Sequence, residues 1–128
     1  AISTARYVRP GAKTNAIIND IGYMDTYLFQ PTSYINVYLP SRNTVSSKMG
    51  TVYNDYGDSW SEIGYNSVIF IHVIVSRHAT DAICVRPEDT NTPLVNENGD
   101  SITLDMRKGD CATFAYINQT WYLFNKNF

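Results

Sequence analysis

Three segments near the end of the chain decide its fold: Asn98-Gly99-Asp100-Ser101-Ile102-Thr103-Leu104-Asp105, Lys108-Gly109-Asp110-Cys111-Ala112-Thr113-Phe114 and Asn118-Gln119-Thr120-Trp121-Tyr122-Leu123. Within them, large apolar residues alternate with polar or small ones, which is the two-residue period of a β-strand. Each Gly-Asp pair supplies a glycine that can take the positive φ of a tight turn. The region therefore predicts three short strands separated by two tight turns, and nothing in it indicates a helix.

The same period appears in the middle of the chain. Residues 34–39 place apolar side chains at every second position before Pro40 ends the strand. The run Val68–Val75 is apolar on both faces apart from His72, which predicts a central strand covered on both sides. Residues 82–86 follow after a polar turn, so we expect the two strands to form a hairpin.

These spacings predict an all-β fold with a single β-sandwich or jelly-roll-like domain. We expect roughly eight to ten short antiparallel strands, and no helix longer than a turn or two. The sandwich is expected to span residues 34–128. Residues 1–33 form a lead-in segment with one or two strands, which either belong to the same domain or connect it to a shaft.

Composition excludes several classes of partner. The 128 residues fit one domain, and the net charge of −2 comes with only 17% charged residues and no basic stripe, so we expect no nucleic-acid partner. The longest apolar run is interrupted by His72 and is too short to cross a bilayer, so we expect no membrane insertion. The chain begins at Ala1 without Met, and we expect it to be a fragment or a processed piece of a longer protein.

Aromatic residues and cysteines add two further expectations. Ten tyrosines and two tryptophans suit both a pleated sheet and an interface with another molecule. Cys84 and Cys111 both fall in predicted strands and match no zinc or redox spacing. They are expected to be buried free thiols, although neighbouring positions in one sheet remain open.

The order of landmarks from Tyr34 to Leu123 resembles domains of bacteriophage tail fibres and tailspikes. In that family an alternating strand ends at Leu-Pro, and a Gly-Asp turn introduces a strand that pairs with a final strand carrying Trp-Tyr. The corresponding residues here are Leu39-Pro40-Ser41, Ala82-Ile83-Cys84-Val85-Arg86-Pro87, Asn98-Gly99-Asp100-Ser101-Ile102-Thr103-Leu104, Lys108-Gly109-Asp110, Ala112-Thr113-Phe114 and Trp121-Tyr122-Leu123.

The resemblance implies a small β-sandwich that assembles as a homotrimer along the fibre. It also implies a non-enzymatic virion module, assembled in the host cytoplasm, that recognises a bacterial surface polysaccharide or receptor, trimerises the fibre, or does both. The long insertion Val52–Tyr65 and the Asn118-Gln119 turn depart from the common pattern and leave the ligand open. Two alternatives are a carbohydrate-binding module of a larger secreted enzyme and a structural capsid or decoration protein.

The insertion contains the candidate ligand-binding residues. It combines aromatic rings, which stack on the C–H faces of sugars, with carboxylates, which accept hydrogen bonds from sugar hydroxyls. The alternative is that Tyr53 and Trp60 hold the loop in place or pack between subunits. The candidate residues are Tyr53, Asp55, Tyr56, Asp58, Trp60 and Glu62.

Other chemically competent residues favour structural roles. His72 is expected to be a neutral imidazole with one hydrogen bond, because a single histidine without a His-x-His pattern is weak support for a metal site. The acidic pairs Asp55/Asp58 and Glu88/Asp89 could serve a glycosidase, but adjacent loop acids are usually solvated turn residues. We therefore expect no catalytic residues, no metal and no cofactor.

Overall fold

The structure is a computed structural model that describes residues 4–7, 17–19, 22–46, 52–53, 59–60 and 69–128. Nearly all regular structure in these residues is β. The elements are β1 (Thr4–Tyr7), β2 (Ile17–Asn19), β3 (Gly22–Phe29), β4 (Ile35–Leu39), α1 (Arg42–Ser46), β5 (Val52–Tyr53), β6 (Ser59–Trp60), β7 (Ile69–Val75), β8 (Ile83–Pro87), β9 (Leu94–Val95), β10 (Leu104–Met106), β11 (Cys111–Ile117) and β12 (Thr120–Lys126).

Two large sheets enclose the core, and the predicted all-β, sandwich-like fold is confirmed. One sheet has the strand order β1-β4-β8-β10 and the other β2-β3-β7-β11-β12-β9, while β5 and β6 form a separate pair. Alternate residues of each sheet point inward and are excluded from water, which is the main stabilising term. The fully buried side chains include Val37, Leu39, Ile83, Val85 and Met106 from the smaller sheet, and Ile69, Ile71, Val73, Phe114 and Trp121 from the larger.

The sheets are mixed, so the expectation of antiparallel strands throughout was wrong. β3, β4, β7 and β8 alternate between the two sheets along the chain. β3 and β7 are neighbours in the larger sheet, and β4 and β8 are neighbours in the smaller one. Both pairs are parallel. β1 also pairs with β4 in parallel, whereas β10, β11 and β12 add antiparallel pairs.

The predicted hairpin between residues 68–75 and 82–86 was also wrong. β7 and β8 belong to different sheets, and the connection between them crosses the end of the sandwich. The connection hydrogen-bonds to the β3–β4 connection through Thr80 N to Pro31 O at 3.1 Å, and it buries Ala79 to 7% exposure. Ala79 is the apolar residue of an otherwise polar turn. Its burial agrees with a connection that crosses the end of the sandwich, because a hairpin turn would have left this side chain in water.

The tight turns predicted at Gly99 and Gly109 and the predicted pairing of the last two strands are confirmed. Gly99 and Gly109 take φ values of 81° and 82°. β11 and β12 form the antiparallel pair that the resemblance implies, with Tyr116 opposite Trp121. Asn118 and Gln119 connect them with φ values of 50° and 62°, the positive values that a two-residue hairpin turn requires.

The outer face of β7 is only partly covered, which corrects the expectation of a strand covered on both sides. Its inner residues Ile69, Ile71, Val73 and Val75 are at most 1% exposed, but the intervening residues are half-buried. Val68 lies outside the described residues. The lead-in segment contributes β1 to the smaller sheet, and β2 and β3 to the larger.

The two cysteines lie in different sheets and are both free thiols, Cys84 buried and Cys111 half-buried.

The sole helix in the described residues, α1, has five residues and begins after Ser41, whose Oγ accepts a hydrogen bond from Thr44 N at 3.2 Å. No helix in the described part of the chain is long and apolar enough to cross a membrane.

Candidate functional site

The structure locates two of the six candidate residues from the sequence. Tyr53 ends β5 and pairs with Ser59, and Trp60 ends β6 and pairs with Val52, so a short antiparallel pair replaces the expected irregular loop at these positions. The other four, Asp55, Tyr56, Asp58 and Glu62, lie outside the described residues. The proposed ligand-binding role of this group stays a prediction.

A second group of aromatic and polar residues lies on the outer surface of the smaller sheet. Tyr34, Asn36 and Tyr38 alternate with the buried residues of β4, and all three are half-buried. In the pairing, Asn36 lies opposite Cys84, which lies opposite Asp105, while Tyr38 lies opposite Arg86. We define the polar face as Tyr34, Asn36, Tyr38, Arg86 and Asp105.

A hydrogen bond across the sheet fixes one side of the polar face. The Tyr34 hydroxyl donates to Asp105 Oδ1 at 2.5 Å. This bond, together with burial, raises the pKa of Tyr34 above its ordinary value. The phenol reaches across β8 beside Cys84, and this explains why Cys84 is only 4% exposed although it lies on an outward-facing position.

The other side of the polar face carries Arg86, a half-buried residue. Arg86 Nη1 donates to Asn36 Oδ1 at 3.5 Å, which is a weak hydrogen bond. Within the described residues no carboxylate lies at ion-pair distance from Arg86. Burying a cation without an anionic partner costs free energy. The Arg86 N–H groups that have no hydrogen bond within the described residues are therefore the donors of this face that a ligand can use.

The outer surface of the larger sheet has the opposite chemistry. It presents large apolar side chains from β3, β7, β11 and β12, and a row of polar residues, Thr26, His72 and Thr113, crosses it. Leu28 is 65% exposed, Phe124 62%, Tyr122 39% and Ile117 38%. We define the apolar face by the residues Leu28, Phe70, Ile74, Ile117, Tyr122 and Phe124.

An irregularity in β12 leaves Phe124 without an opposite residue in the β11–β12 pairing. The β11–β12 register shifts between Thr113 and Phe114, because Leu123 pairs with Phe114 while Asn125 pairs with Thr113. Phe124 is thus the extra residue of a β-bulge, and strand alternation places it on the same outward side as Tyr122. Its ring meets Phe70 edge to face with centroids 5.7 Å apart, although β11 lies between the two strands. The two rings extend over Ala115, which is fully buried on this outward surface.

His72 lies among these residues. Its Nδ1 is 2.9 Å from Thr113 Oγ1, and among the described residues this is the one hydrogen bond of the ring, as expected from the sequence. A shallow depression of about 510 Å³ beside it is also lined by Cys111 and Lys126. The described residues contain no group of three or more side chains suited to hold a metal ion.

One end of the sandwich is fixed by hydrogen bonds between distant segments. Trp121 Nε1 donates to Pro40 O at 2.8 Å in the buried interior. Glu88 Oε2 accepts from Ser41 N at 3.0 Å and from Thr44 Oγ1 at 3.2 Å. The Glu88 carboxylate therefore holds the start of α1 in place. Glu88 is one of the acids considered above for a glycosidase, and its role in these contacts is structural.

Asp89 is likewise engaged locally, because its Oδ1 accepts a hydrogen bond from Asn91 N at 2.9 Å. This is the usual behaviour of an aspartate in a turn. Both acids of the pair thus contribute to loop geometry.

Sequence reasoning missed the polar face, although part of its signal is present. The alternation of residues 34–39 predicts the inner face of β4 and equally sets Tyr34, Asn36 and Tyr38 on the opposite one. Arg86 and Asp105 could not be added, because only the tertiary structure shows that β8 lies between β4 and β10.

Comparisons with protein-family profiles, curated proteins and solved structures gave no match to this chain.

Proposed function

We propose that this protein is a non-enzymatic module of a phage tail fibre or tailspike, located in the virion, which assembles as a homotrimer and attaches to a bacterial surface polysaccharide or receptor. The observation that carries the assembly role is the apolar face. Apart from Phe128 at the end of the chain, all exposed large apolar side chains in the described residues belong to it. A concentration of exposed large apolar side chains on one sheet face marks an interaction surface.

The size of the apolar face matches the requirement of a subunit contact. Its four most exposed side chains present on the order of 400 Å² together, since a large side chain has about 150–250 Å² of surface. A typical interface takes about 800 Å² from each partner, and about 60% of that is apolar. A second copy of the chain is the partner that we propose, because a sheet face that exposes large apolar side chains can pack against another sheet.

The resemblance supports a tail fibre in particular. Two of its landmarks, the Leu39-Pro40 strand end and the final Trp-Tyr strand, meet in the core through the Trp121 Nε1 to Pro40 O hydrogen bond. The motif thus describes residues that build one structural unit, although they lie 81 positions apart.

Light scattering coupled to size-exclusion chromatography tests the assembly role. At micromolar concentration the wild-type chain should have about three times its monomer mass of 14.5 kDa. The double substitution Leu28→Lys and Phe124→Lys should give a monomer, because charges on the face would lose their hydration on association. A matched control, Thr90→Lys with Asn98→Lys, adds the same charge at exposed loop positions and should keep the trimer.

Circular dichroism of each variant establishes that the sheets are intact. A monomeric wild-type protein would overturn the proposed assembly. A trimer that persists in the folded Leu28→Lys, Phe124→Lys variant would show that subunits meet through another surface.

A further inference from the structure

We infer that the polar face is a binding site for neutral saccharides. This inference deepens the proposed attachment role by naming the surface and the ligand class, and in that sense it rests on the proposed function. The polar face and the apolar face lie on opposite outer surfaces of the sandwich. A subunit can therefore associate through one and bind a ligand through the other.

The hydrogen-bonding groups of the polar face suit a hydroxylated ligand. Arg86 offers several N–H donors, and among the described residues one of them makes a weak hydrogen bond, to Asn36. Asp105 uses Oδ1 for the Tyr34 hydroxyl and has Oδ2 for a further donor. A sugar hydroxyl both donates and accepts, so the hydroxyls of a saccharide can pair with the carboxylate and with the guanidinium.

Charge favours a neutral ligand. The polar face has one guanidinium and one carboxylate, on the adjacent strands β8 and β10, and the two charges cancel. An anionic sugar would meet the Asp105 carboxylate, and a cationic ligand would meet Arg86. Either would lose part of the electrostatic free energy that it gained from the other group.

The tyrosine rings supply the apolar contact that a sugar needs. The hydrogen bond to Asp105 holds Tyr34 in one orientation before a ligand arrives, which lowers the entropic cost of binding. Tyr38 lies on the same outer surface, opposite Arg86. Tyrosine rings present a large contact area at low entropic cost and stack against C–H groups.

A glycan array with neutral hexose, deoxyhexose and N-acetylhexosamine oligosaccharides, together with uronate and sialate oligosaccharides, provides the probes. We expect binding to at least one neutral oligosaccharide and then measure its Kd by calorimetry. Arg86→Ala and Tyr38→Ala should each weaken binding at least tenfold. Arg77→Ala, which removes an exposed arginine from the β7–β8 connection, should leave the Kd unchanged. Circular dichroism and urea unfolding establish that each variant is folded.

Three results would overturn the inference: no binding to any neutral oligosaccharide, binding to acidic oligosaccharides alone, or an unchanged Kd in the folded Arg86→Ala and Tyr38→Ala variants. In the third case, loss of binding in Tyr56→Ala and Trp60→Ala would assign recognition to the 52–65 insertion.

Light scattering on the same samples separates this inference from the proposed function. If the protein is a monomer and binds a neutral saccharide through Arg86, the saccharide site on the polar face is supported and the trimeric fibre is rejected. The protein would then be a carbohydrate-binding module. A trimer without saccharide binding would reject the polar face alone.

Discussion

The Tyr116 hydroxyl lies in the core without a hydrogen-bond partner in the described part of the chain. The residue is 1% exposed, and its ring packs edge to face against Trp121 with centroids 5.2 Å apart. Burial raises the pKa of Tyr116, and the charge of Arg42 opposes this shift in part. An unsatisfied buried hydroxyl costs free energy that folding must offset.

Tyr116→Phe should therefore increase the free energy of unfolding by about 1 kcal/mol, measured by urea denaturation. Trp121→Phe is the comparison, because it removes the Nε1 donor to Pro40 and leaves a small cavity. That variant should lower stability by about 2 kcal/mol. A loss of stability in Tyr116→Phe would mean that the hydroxyl has a partner.

The Tyr34 to Asp105 hydrogen bond predicts a pH dependence of stability at alkaline pH. Because the pKa of Tyr34 is raised on folding, its contribution is complete below the unfolded-state value of about 10 and is lost as pH rises through the folded-state value. Tyr34→Phe should lower stability at pH 8 by less than about 1 kcal/mol, since the bond is largely exposed. The difference between wild type and variant should shrink above pH about 10.

Urea midpoints at pH 8 and pH 11 measure this effect. Asp105→Asn provides a second route to the same bond, and the double variant should be no less stable than the worse single one. A difference between wild type and Tyr34→Phe that does not change with pH would contradict the assignment.

At the scale of a single element, the β11–β12 hairpin turns through two residues with positive φ, and neither is glycine. Asparagine tolerates this conformation, but at Gln119 the side chain adds a steric cost. Gln119→Gly should raise the free energy of unfolding by about 0.5 kcal/mol, after the greater entropy of the unfolded chain is included. The lost contact from Arg42 Nη1 to Gln119 Oε1, at 3.4 Å on the surface, counts little.

Thr120→Gly is the control for this element, because Thr120 begins β12 and has no need of a positive φ. It should lower stability by about 0.5–1 kcal/mol. Thermal or urea unfolding compares the two variants. Equal losses in both would show that the turn gains nothing from glycine.

At the scale of the whole molecule, self-association links stability to concentration. If only the folded chain associates, the Tm should rise with protein concentration, since mass action favours the folded oligomer. Calorimetric scans over a hundredfold range of concentration should show this rise in the wild type and none in Leu28→Lys, Phe124→Lys. A Tm that is independent of concentration in the wild type would contradict assembly through the apolar face.

The sequence by itself determined where several strands lie and which of their side chains face the core. Ile35, Val37 and Leu39 were assigned to one face because alternation along a strand is a local property, and all three are at most 6% exposed. The glycines at 99 and 109 likewise marked turns, because positive φ is a property of the single residue.

Only the tertiary structure decided which sheet each strand joins and in which direction it runs. β7 and β8 look like a hairpin in the sequence, but their sheets are set by long-range packing around a shared core, which no local pattern records. The same packing brings Tyr34, Arg86 and Asp105 onto one surface from separate strands. The inner faces followed from side-chain periodicity, whereas the polar face depended on strand order.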